Sequence, residues 1–220
     1  MEYQKQKETP YEVLVYESLK SRILSGQYAA GEKIPEQSVS EELGVSRSPL
    51  RSAIRRLASE GLIEYFPYRG AFVKIYTDKD IHDSFAIRML LESYAISNIN
   101  PEALEQERAD IEQLIARCRS VDRKDTAELD VLVHETAVRL CQNSALIDIY
   151  RMLYTKIGLF RDISISDPKM VALSNKSHAV LLQSILDGNT PKALHIIKKH
   201  LQESEDKVIS YYRGSQENAG

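Results

Sequence analysis

Apolar residues in the first 76 positions recur at helical spacing and then change to the alternation of strands. The first predicted helix ends near Gly26 and carries an apolar side chain at every fourth position, at Val15, Leu19 and Ile23. A second, short helix is predicted over about residues 36–43, after which Gly44 permits a tight turn and Val45 can fill the angle before the next helix. This order of elements is typical of a helix-turn-helix.

The third helix is predicted to begin with Ser48 as its N-cap and Pro49 at its first position, and to end at Gly61. One face has apolar side chains at the i, i+3, i+4 and i+7 positions, namely Leu50, Ala53, Ile54 and Leu57. The other face carries three arginines, Arg47, Arg51 and Arg55. The apolar face is therefore expected to pack on a core, while the arginines point outward.

A two-stranded hairpin is predicted after Gly61. The segments LIEYF and AFVKIY alternate like strands, and the turn residues PYRG lie between them, with Gly70 free to adopt a positive φ. Arg69 at the tip can reach a phosphate or the minor groove of DNA, although a tip arginine is also commonly only solvated. The first 76 residues thus predict a winged helix-turn-helix.

Residues 77–220 show no strand-like alternation and predict an all-α bundle of six helices. Proline and glycine mark several boundaries, at Asn100-Pro101, Asp167-Pro168, Gly188-Asn189 and Thr190-Pro191. The predicted helices span about 78–98, 101–119, 124–142, 144–163, 174–187 and 190–212. The polar tail from about Arg213 is expected to be disordered. We predict a mainly α protein with one domain over residues 1–76 and a second over residues 77–220.

Length and composition agree with two domains, since 220 residues with 43% hydrophobic content can form two cores. No apolar run approaches the roughly 20 residues of a membrane span, and the start is too polar for a secretory signal, so we expect a soluble, cytoplasmic protein. Cys118 and Cys141 lie in apolar helical surroundings without a CxxC spacing, which favours ordinary buried thiols.

Positive charge is concentrated in one region. Residues 43–74 carry six basic and two acidic residues, whereas residues 77–220 carry 18 basic and 22 acidic residues. An arginine on the third helix can donate two hydrogen bonds to guanine in the major groove, and its neighbours, with Ser48, can hold phosphates. Three arginines alone are typical of a solvated face, but the turn that precedes them favours DNA binding.

The segment ILSGQYAAGEKIPEQSVSEELGVSRSPLRSAIRRLASEGLIEYFPYRGAFV resembles the DNA-binding domain of the GntR superfamily over roughly fifty positions. The glycine spacing and the strings GVSRSPLR, EGLI and RGAFV carry the resemblance. It implies a repressor that binds a palindromic operator in double-stranded DNA as a homodimer. The implied DNA-binding residues are Gln37, Arg47, Ser48, Arg51, Arg69 and Gly70. Gln37 stands where family members often have arginine, which can weaken a phosphate contact or alter base preference.

Four residues of the second domain can together bind one ion. Asp130 and His134 lie four positions apart and share one face of a predicted helix, while His178 and His200 lie on the apolar stripes of two other helices. Each histidine alone is more typical of a satisfied structural residue. His82 and His195 have no matching partners and are left out of this set.

The same residues resemble the FCD effector-binding domain, and the resemblance covers essentially all of residues 78–212. It implies that Asp130, His134, His178 and His200 hold a divalent metal inside the bundle. Ser177 departs from the glutamate that is usual beside the histidine. The predicted six-helix length is similar to the shorter, VanR-like branch of the family, which argues against acyl-CoA as the ligand.

Three imidazoles and one carboxylate suit zinc, nickel or manganese and leave room for water or a ligand carboxylate. The expected effector is therefore a small organic acid. Arg88 resembles a family position that faces the cavity and can bind a second carboxylate, although a pair with Glu92 is an equal alternative. Asn143 can lie near the effector or only cap the next helix.

Two other interpretations remain open from the sequence. The metal can activate water in an enzyme, although HExxH, a phosphate-binding loop and a nucleophile elbow are absent from the sequence. It can also be purely structural, in a dimerisation module. The favoured hypothesis is that a bound effector changes the spacing of two recognition helices through the linker around residues 76–79. Whether the effector releases or promotes DNA binding is open.

Overall fold

The computed structural model describes residues 9–120, 126–164 and 168–217. Its backbone contacts divide the chain into two compact units. The first extends to Tyr76 and includes the chain end from Tyr212, and the second spans Thr77–Tyr211. Among the described helices, none has the length and apolar character that crossing a membrane requires.

The first unit contains three helices followed by a β-hairpin. In chain order these are α1 (Pro10–Leu24), α2 (Glu36–Glu42), α3 (Arg47–Ser59), β1 (Ile63–Phe66) and β2 (Gly70–Val73). The predicted apolar stripe of α1 is buried, as are Val45 and the four predicted core residues of α3. The helix-turn-helix with a small hairpin is thus confirmed.

The predicted start of the third helix is wrong by two residues. Ser46, rather than Ser48, is the N-cap of α3, and its side chain makes no capping hydrogen bond. Pro49 is consequently the third helical residue. The prediction failed because every amide of the first helical turn lacks an intrahelical acceptor, so proline fits at more than one position there. Arg47 and Ser48 therefore belong to the first turn of α3.

The hairpin strands are antiparallel, and the pairs run from Ile63 opposite Val73 to Phe66 opposite Gly70. The segment before α2 joins the same sheet, since Lys33 forms an isolated bridge with Phe72. Gly70 has φ +96°, as its place after the turn predicted. This third segment places the beginning of α2 beside the wing.

The second unit is all-helical and contains eight helices among its described residues. They are α4 (Asp78–Ser97), α5 (Pro101–Gln106), α6 (Arg108–Arg119), α7 (Thr126–Arg139), α8 (Ser144–Met152), α9 (Tyr154–Ser164), α10 (Pro168–Leu186) and α11 (Thr190–Glu217). The last residues of α11, from Tyr212, are assigned to the first unit. Helix α10 packs on α6 and α7, and α4 packs on α7, α8 and α9. A small core of Ala95, Val138, Leu146 and Tyr150 joins α4, α7 and α8.

Eight helices replace the predicted six because two predicted helices are interrupted. The interruptions are single residues, Glu107 and Leu153, and each of them donates its amide to the preceding helix and accepts from the following one. A one-residue interruption changes no apolar spacing, so the sequence pattern could not reveal it. Helix α10 begins earlier than predicted, at Pro168, which needs no amide donor there.

The predicted C-terminal tail also differs, because α11 continues through residue 217 instead of ending near 212. Residues 124–125 of the predicted third bundle helix lie outside the described residues, as do Asp167 and residues 218–220. Of the predicted linker at residues 76–79, the last two residues, Asp78 and Lys79, form the start of α4. Thr77 is its N-cap and forms a capping box with Asp80.

Candidate metal centre and nucleic-acid interface

The outward face of α3 presents its arginines to solvent. Arg47, Arg51 and Arg55 are exposed, as is Ser48. Within the part of the chain that the structure describes, Arg47 and Arg51 make no hydrogen bond or ion pair. A guanidinium in this state keeps all five donors available for a planar acceptor such as guanine or phosphate.

A cleft of about 680 Å³ separates α2 and α3 from the wing. Four of the residues predicted to bind DNA line it, namely Gln37, Arg51, Arg69 and Gly70. A neighbouring cavity of about 290 Å³ is lined by Gln37, Arg47 and Arg51. The fold thus brings together five of the six predicted DNA-binding residues, and Ser48 is adjacent to Arg47 in the chain. Gln37 itself is held by a 2.9 Å hydrogen bond to Glu41.

The tip of the wing holds an exposed aromatic residue that the sequence analysis missed. The amide of Arg69 donates to the carbonyl of Phe66 at 3.1 Å, which closes a tight turn through Pro67 and Tyr68. Tyr68 has φ +63° and a fully exposed side chain. The proline was the available signal, because proline at the second position of a turn is common when the next residue has positive φ.

Arg69 lies against the aromatic side chains of the wing. Its guanidinium carbon is 5.4 Å from the ring centroid of Phe66 and 5.5 Å from that of Phe72. Cation–π attraction at these distances is weak at an exposed site, about 0.5–1 kcal/mol. This contact can orient the guanidinium, and it leaves the positive charge of Arg69 available to a phosphate.

The four predicted metal ligands meet inside the second unit. Asp130 and His134 lie one turn apart on α7, while His178 comes from α10 and His200 from α11. All four are buried, and one ligand atom from each lies within 4.8 Å of the others. Apolar spacing places each side chain on the inner face of its helix, and the packing of three helices brings them together.

The distances within this cluster suit a small cation. The Nε2 atoms of His134, His178 and His200 lie 3.2, 3.2 and 3.3 Å from one another. Oδ1 of Asp130 is 3.5 Å from Nε2 of His178 and 3.8 Å from Nε2 of His134. A tetrahedral ion about 2.0–2.1 Å from each nitrogen would hold the nitrogens about 3.3 Å apart. The residues present therefore fit a divalent metal.

The protonation state of the histidines also suits metal binding. Burial lowers the pKa of His178, and it lowers the pKa of His134 and His200 well below the ordinary value. The positive charge of Arg88 lowers the pKa of His134 further, and neighbouring imidazoles lower that of His200. Neutral imidazole is the form that donates a lone pair to a metal.

Glu92 of α4 contacts this cluster, although the sequence analysis considered it only as a partner of Arg88. Its Oε2 atom is 2.7 Å from Nδ1 of His134, and its Oε1 atom accepts from Nε of Arg88 at 2.7 Å. The hydroxyl of Tyr150 donates to the same Oε1 at 3.0 Å. The i, i+4 spacing of Arg88 and Glu92 was visible in the sequence, but the contact with His134 spans 42 residues.

The two predicted effector-binding residues adopt the alternative roles considered for them. Arg88 is buried and paired with Glu92. The Oδ1 atom of Asn143 accepts from the amide of Leu146 at 3.1 Å and caps α8. Contact of either residue with an effector stays a prediction.

The remaining histidines and cysteines lie apart from the cluster. His82 is 2.8 Å from Oε1 of Glu205, and neither His82 nor His195 belongs to the ligand set found among the described residues. Cys118 is buried and Cys141 half-buried, both as free thiols. Burial raises the pKa of Cys118 to about 11, which keeps it protonated and unreactive.

Comparison with known families divides the chain as its two units do. Residues 12–73 match the family described as bacterial regulatory proteins, gntR family. Residues 83–203 match the FCD domain. The second match alone covers more than half of the chain.

Curated relatives extend over nearly the whole chain. An uncharacterized HTH-type transcriptional regulator, YdhC of Bacillus subtilis, is 24% identical over 217 residues, covering 96% of this chain and 97% of the relative. The gluconate operon transcriptional repressor of the same species is 27% identical over 217 residues, covering 93% and 87%.

A solved structure of an isolated domain shares the fold of the second unit. The Zn²⁺-bound FCD domain of TM0439 is 20% identical and has a TM-score of 0.52, covering 61% of this chain and 94% of that domain. At this identity the likeness concerns the fold.

Proposed function

Since the chain belongs to the GntR family of bacterial regulatory proteins and carries an FCD domain, we propose that it is a metal-dependent repressor controlled by a small organic acid. The family consists of transcriptional regulators and not of enzymes, and this argues against the metalloenzyme interpretation. One observation carries the proposal. A DNA-binding unit and a buried cluster of three histidines and one aspartate occur in the same chain.

The DNA-binding part of the proposal assigns base reading to Arg47 and Arg51. Both side chains are exposed on α3, and the cleft beside them is bounded by the wing. Arg69 and Gly70 would contact the backbone or minor groove, with Gln37 and Ser48 holding phosphates. Tyr68 joins this set because its exposed ring lies at the wing tip, where an aromatic side chain can pack on a sugar or base.

A dimeric repressor on a palindromic operator is proposed on two grounds. The gluconate operon relative is a repressor by description. The exposed surface of α4 is apolar over two turns, because Ile87, Leu90 and Tyr94 are 46%, 65% and 50% exposed at helical spacing. Such a stripe is typical of a subunit contact. A two-fold dimer would present two α3 helices to two half-sites.

The metal would be held by Asp130, His134, His178 and His200. Zinc is the first candidate, because three imidazoles and one carboxylate are ordinary zinc ligands and the FCD domain of TM0439 binds Zn²⁺. Nickel and manganese are the alternatives. A metal of this kind supplies a Lewis-acidic position that a carboxylate can occupy.

Polar groups beside the cluster support an acid as the effector. The hydroxyl of Ser174 is 3.5 Å from Nε2 of His178. One turn before His178, the Oδ1 atom of Asn175 is buried and has no hydrogen-bond partner among the described residues. Buried polar atoms are nearly always hydrogen-bonded, so a ligand or a water molecule is the expected partner of this oxygen. Arg88 and Asn143 remain the predicted effector contacts.

The proposal is tested by operator binding. A binding site is first selected from random duplexes, and its affinity is measured by fluorescence anisotropy with zinc-loaded and metal-free protein. Acetate, lactate, gluconate and citrate are then added at millimolar concentration. We expect at least one acid to change the affinity of the zinc-loaded protein tenfold or more and that of the metal-free protein little. Equal affinities under all conditions would contradict the proposed control.

A further inference from the structure

Glu92 is a carboxylate of the bundle interior that three other side chains contact. Its side chain is fully buried, and it lies on α4, whereas the four clustered ligands lie on α7, α10 and α11. One oxygen lies 2.7 Å from Nδ1 of His134. The other accepts hydrogen bonds from Arg88 and Tyr150. Three different side chains therefore fix the position and orientation of one carboxylate.

The partners of Glu92 determine which atom of His134 carries a proton. Burial and the nearby carboxylate raise the pKa of Tyr150 well above its ordinary value, so its hydroxyl remains a donor. Arg88 is also a donor only, since a guanidinium has no acceptor. Both of these donors occupy Oε1 of Glu92, and an ionised carboxylate offers only acceptors, so Oε2 is placed to accept from Nδ1 of His134. In a neutral imidazole this leaves the lone pair on Nε2, the atom that lies 3.2 Å from the other two imidazoles.

We propose that Glu92 is a positioning residue for the metal centre, which holds the His134 ring in the tautomer and orientation that expose Nε2 to the ion. Arg88 and Tyr150 act through Glu92 by fixing its carboxylate. The inference rests on the proposed metal site and adds a requirement from a fourth helix. Mutation of a carboxylate that accepts a hydrogen bond from a ligand histidine commonly weakens metal binding by about 10- to 100-fold.

The decisive variant is Glu92→Gln. A glutamine amide can satisfy Arg88 and Tyr150 with its oxygen, but it then presents a donor to Nδ1 of His134. The imidazole responds by moving its proton to Nε2, where it competes with the metal. The side-chain volume is almost unchanged, so the variant alters a proton position and not the packing.

Glu205→Gln is the matched control. Glu205 is also buried, and its carboxylate accepts from Nδ1 of a histidine at 2.8 Å, but that histidine is His82, which is outside the cluster. Both variants replace a buried, histidine-bonded carboxylate of the same bundle. Only one of them contacts a candidate ligand.

Two measurements are made on the full-length proteins. Zinc affinity is determined by competition with a chromophoric chelator, and the tautomer of His134 in the metal-free state is read from its imidazole ¹⁵N chemical shifts. We expect Glu92→Gln to bind zinc about 10- to 100-fold more weakly and to move the His134 proton from Nδ1 to Nε2. Glu205→Gln should match the wild type in both.

An unchanged zinc affinity in Glu92→Gln, or an equal loss in both variants, would overturn the inference. If the wild type binds no zinc, the proposed metal site fails, and the ¹⁵N measurement still decides the role of Glu92 on its own. If Glu92→Gln does not fold, Tyr150→Phe removes one donor to the carboxylate and serves in its place. It should weaken zinc binding by several-fold, and wild-type affinity in that variant would also overturn the inference.

Discussion

The two candidate sites of this protein differ in how their side chains are held. On α3, Arg47 and Arg51 extend into solvent and have no partner among the described residues. In the bundle, His134 is 2% exposed and is fixed by contacts from Glu92, His178 and His200. The first site thus consists of side chains without fixed partners, whereas the second consists of side chains held by contacts inside the fold.

This difference has a thermodynamic consequence. Exposed arginines cost the folded state little, so they can be changed with little effect on stability. Three imidazoles and a carboxylate lose their hydration when they are buried on folding, which costs free energy. Only a bound cation or hydrogen bonds can offset that cost. Stability should therefore depend on the occupant of the bundle and hardly at all on the residues of the DNA-binding face.

Metal removal should give the largest effect. Zinc at about a thousand times its dissociation constant should raise the unfolding free energy of the wild type by about 4 kcal/mol. The double variant His134→Ala/His178→Ala should gain nothing, because two ligands are lost. Urea unfolding with zinc and with EDTA measures both. A matched variant, His82→Ala/His195→Ala, should keep the full gain, and the same response in both variants would contradict the site.

Acid should destabilise the metal-free protein through the same residues. Burial lowers the pKa of His134, His178 and His200 in the folded state. As the pH falls through about 6.5, the unfolded chain therefore binds more protons than the folded protein does. The free energy of unfolding consequently decreases as the pH falls.

The loss should reach at most about 1.4 kcal/mol per pH unit for each histidine. Urea unfolding in EDTA at pH 7.5 and 5.5 measures it. The double variant His134→Ala/His178→Ala should lose less stability than the wild type over this interval. Identical losses would show that these imidazoles do not titrate on unfolding.

At the exposed site, Arg51→Ala should weaken DNA binding without weakening the fold. A guanidinium that donates twice to guanine contributes about 1–3 kcal/mol, and its loss should also relax sequence preference at one position. The unfolding free energy should change by less than about 0.5 kcal/mol. Fluorescence anisotropy on a selected operator measures the affinity, with Arg119→Ala on the exposed surface of α6 as the control. If the Arg51→Ala variant binds the operator with wild-type affinity, Arg51 does not contact the bases.

Tyr68→Gly should give the smallest effect on operator binding, and it should weaken binding without lowering stability. Tyrosine at φ +63° is strained, and glycine adopts this conformation freely, so stability should stay constant or rise by up to about 1 kcal/mol. Loss of the exposed ring should weaken operator binding by less than about tenfold, or 1.4 kcal/mol. Thermal unfolding and anisotropy provide the two values. A variant that binds as tightly as the wild type would leave Tyr68 without a role in DNA binding.

The sequence was sufficient to predict the parts of each site that depend on local spacing. The i, i+3, i+4 and i+7 pattern placed Leu50 and its neighbours in the core and the arginines outside it. The four-residue interval placed Asp130 and His134 on one face of α7. That His178 and His200 join them followed from their apolar stripes and from a family resemblance.

What the sequence could not show depends on long-range packing or on backbone detail. Glu92 and Tyr150 are 58 residues apart, and the packing of α4 on α7 and α8 brings Glu92 into contact with both His134 and Tyr150. The N-cap of α3 was misplaced because proline is compatible with every position of a first turn. The interruptions at Glu107 and Leu153 do not alter the apolar spacing of the sequence.

The central claim is that the bundle holds a divalent metal, and the metal content of the purified protein tests it most directly. Elemental analysis of the wild type, dialysed after loading with zinc, nickel or manganese, should find one ion per chain. The His134→Ala/His178→Ala variant, treated in the same way, should contain none. A folded wild type that retains none of the three metals would contradict the account.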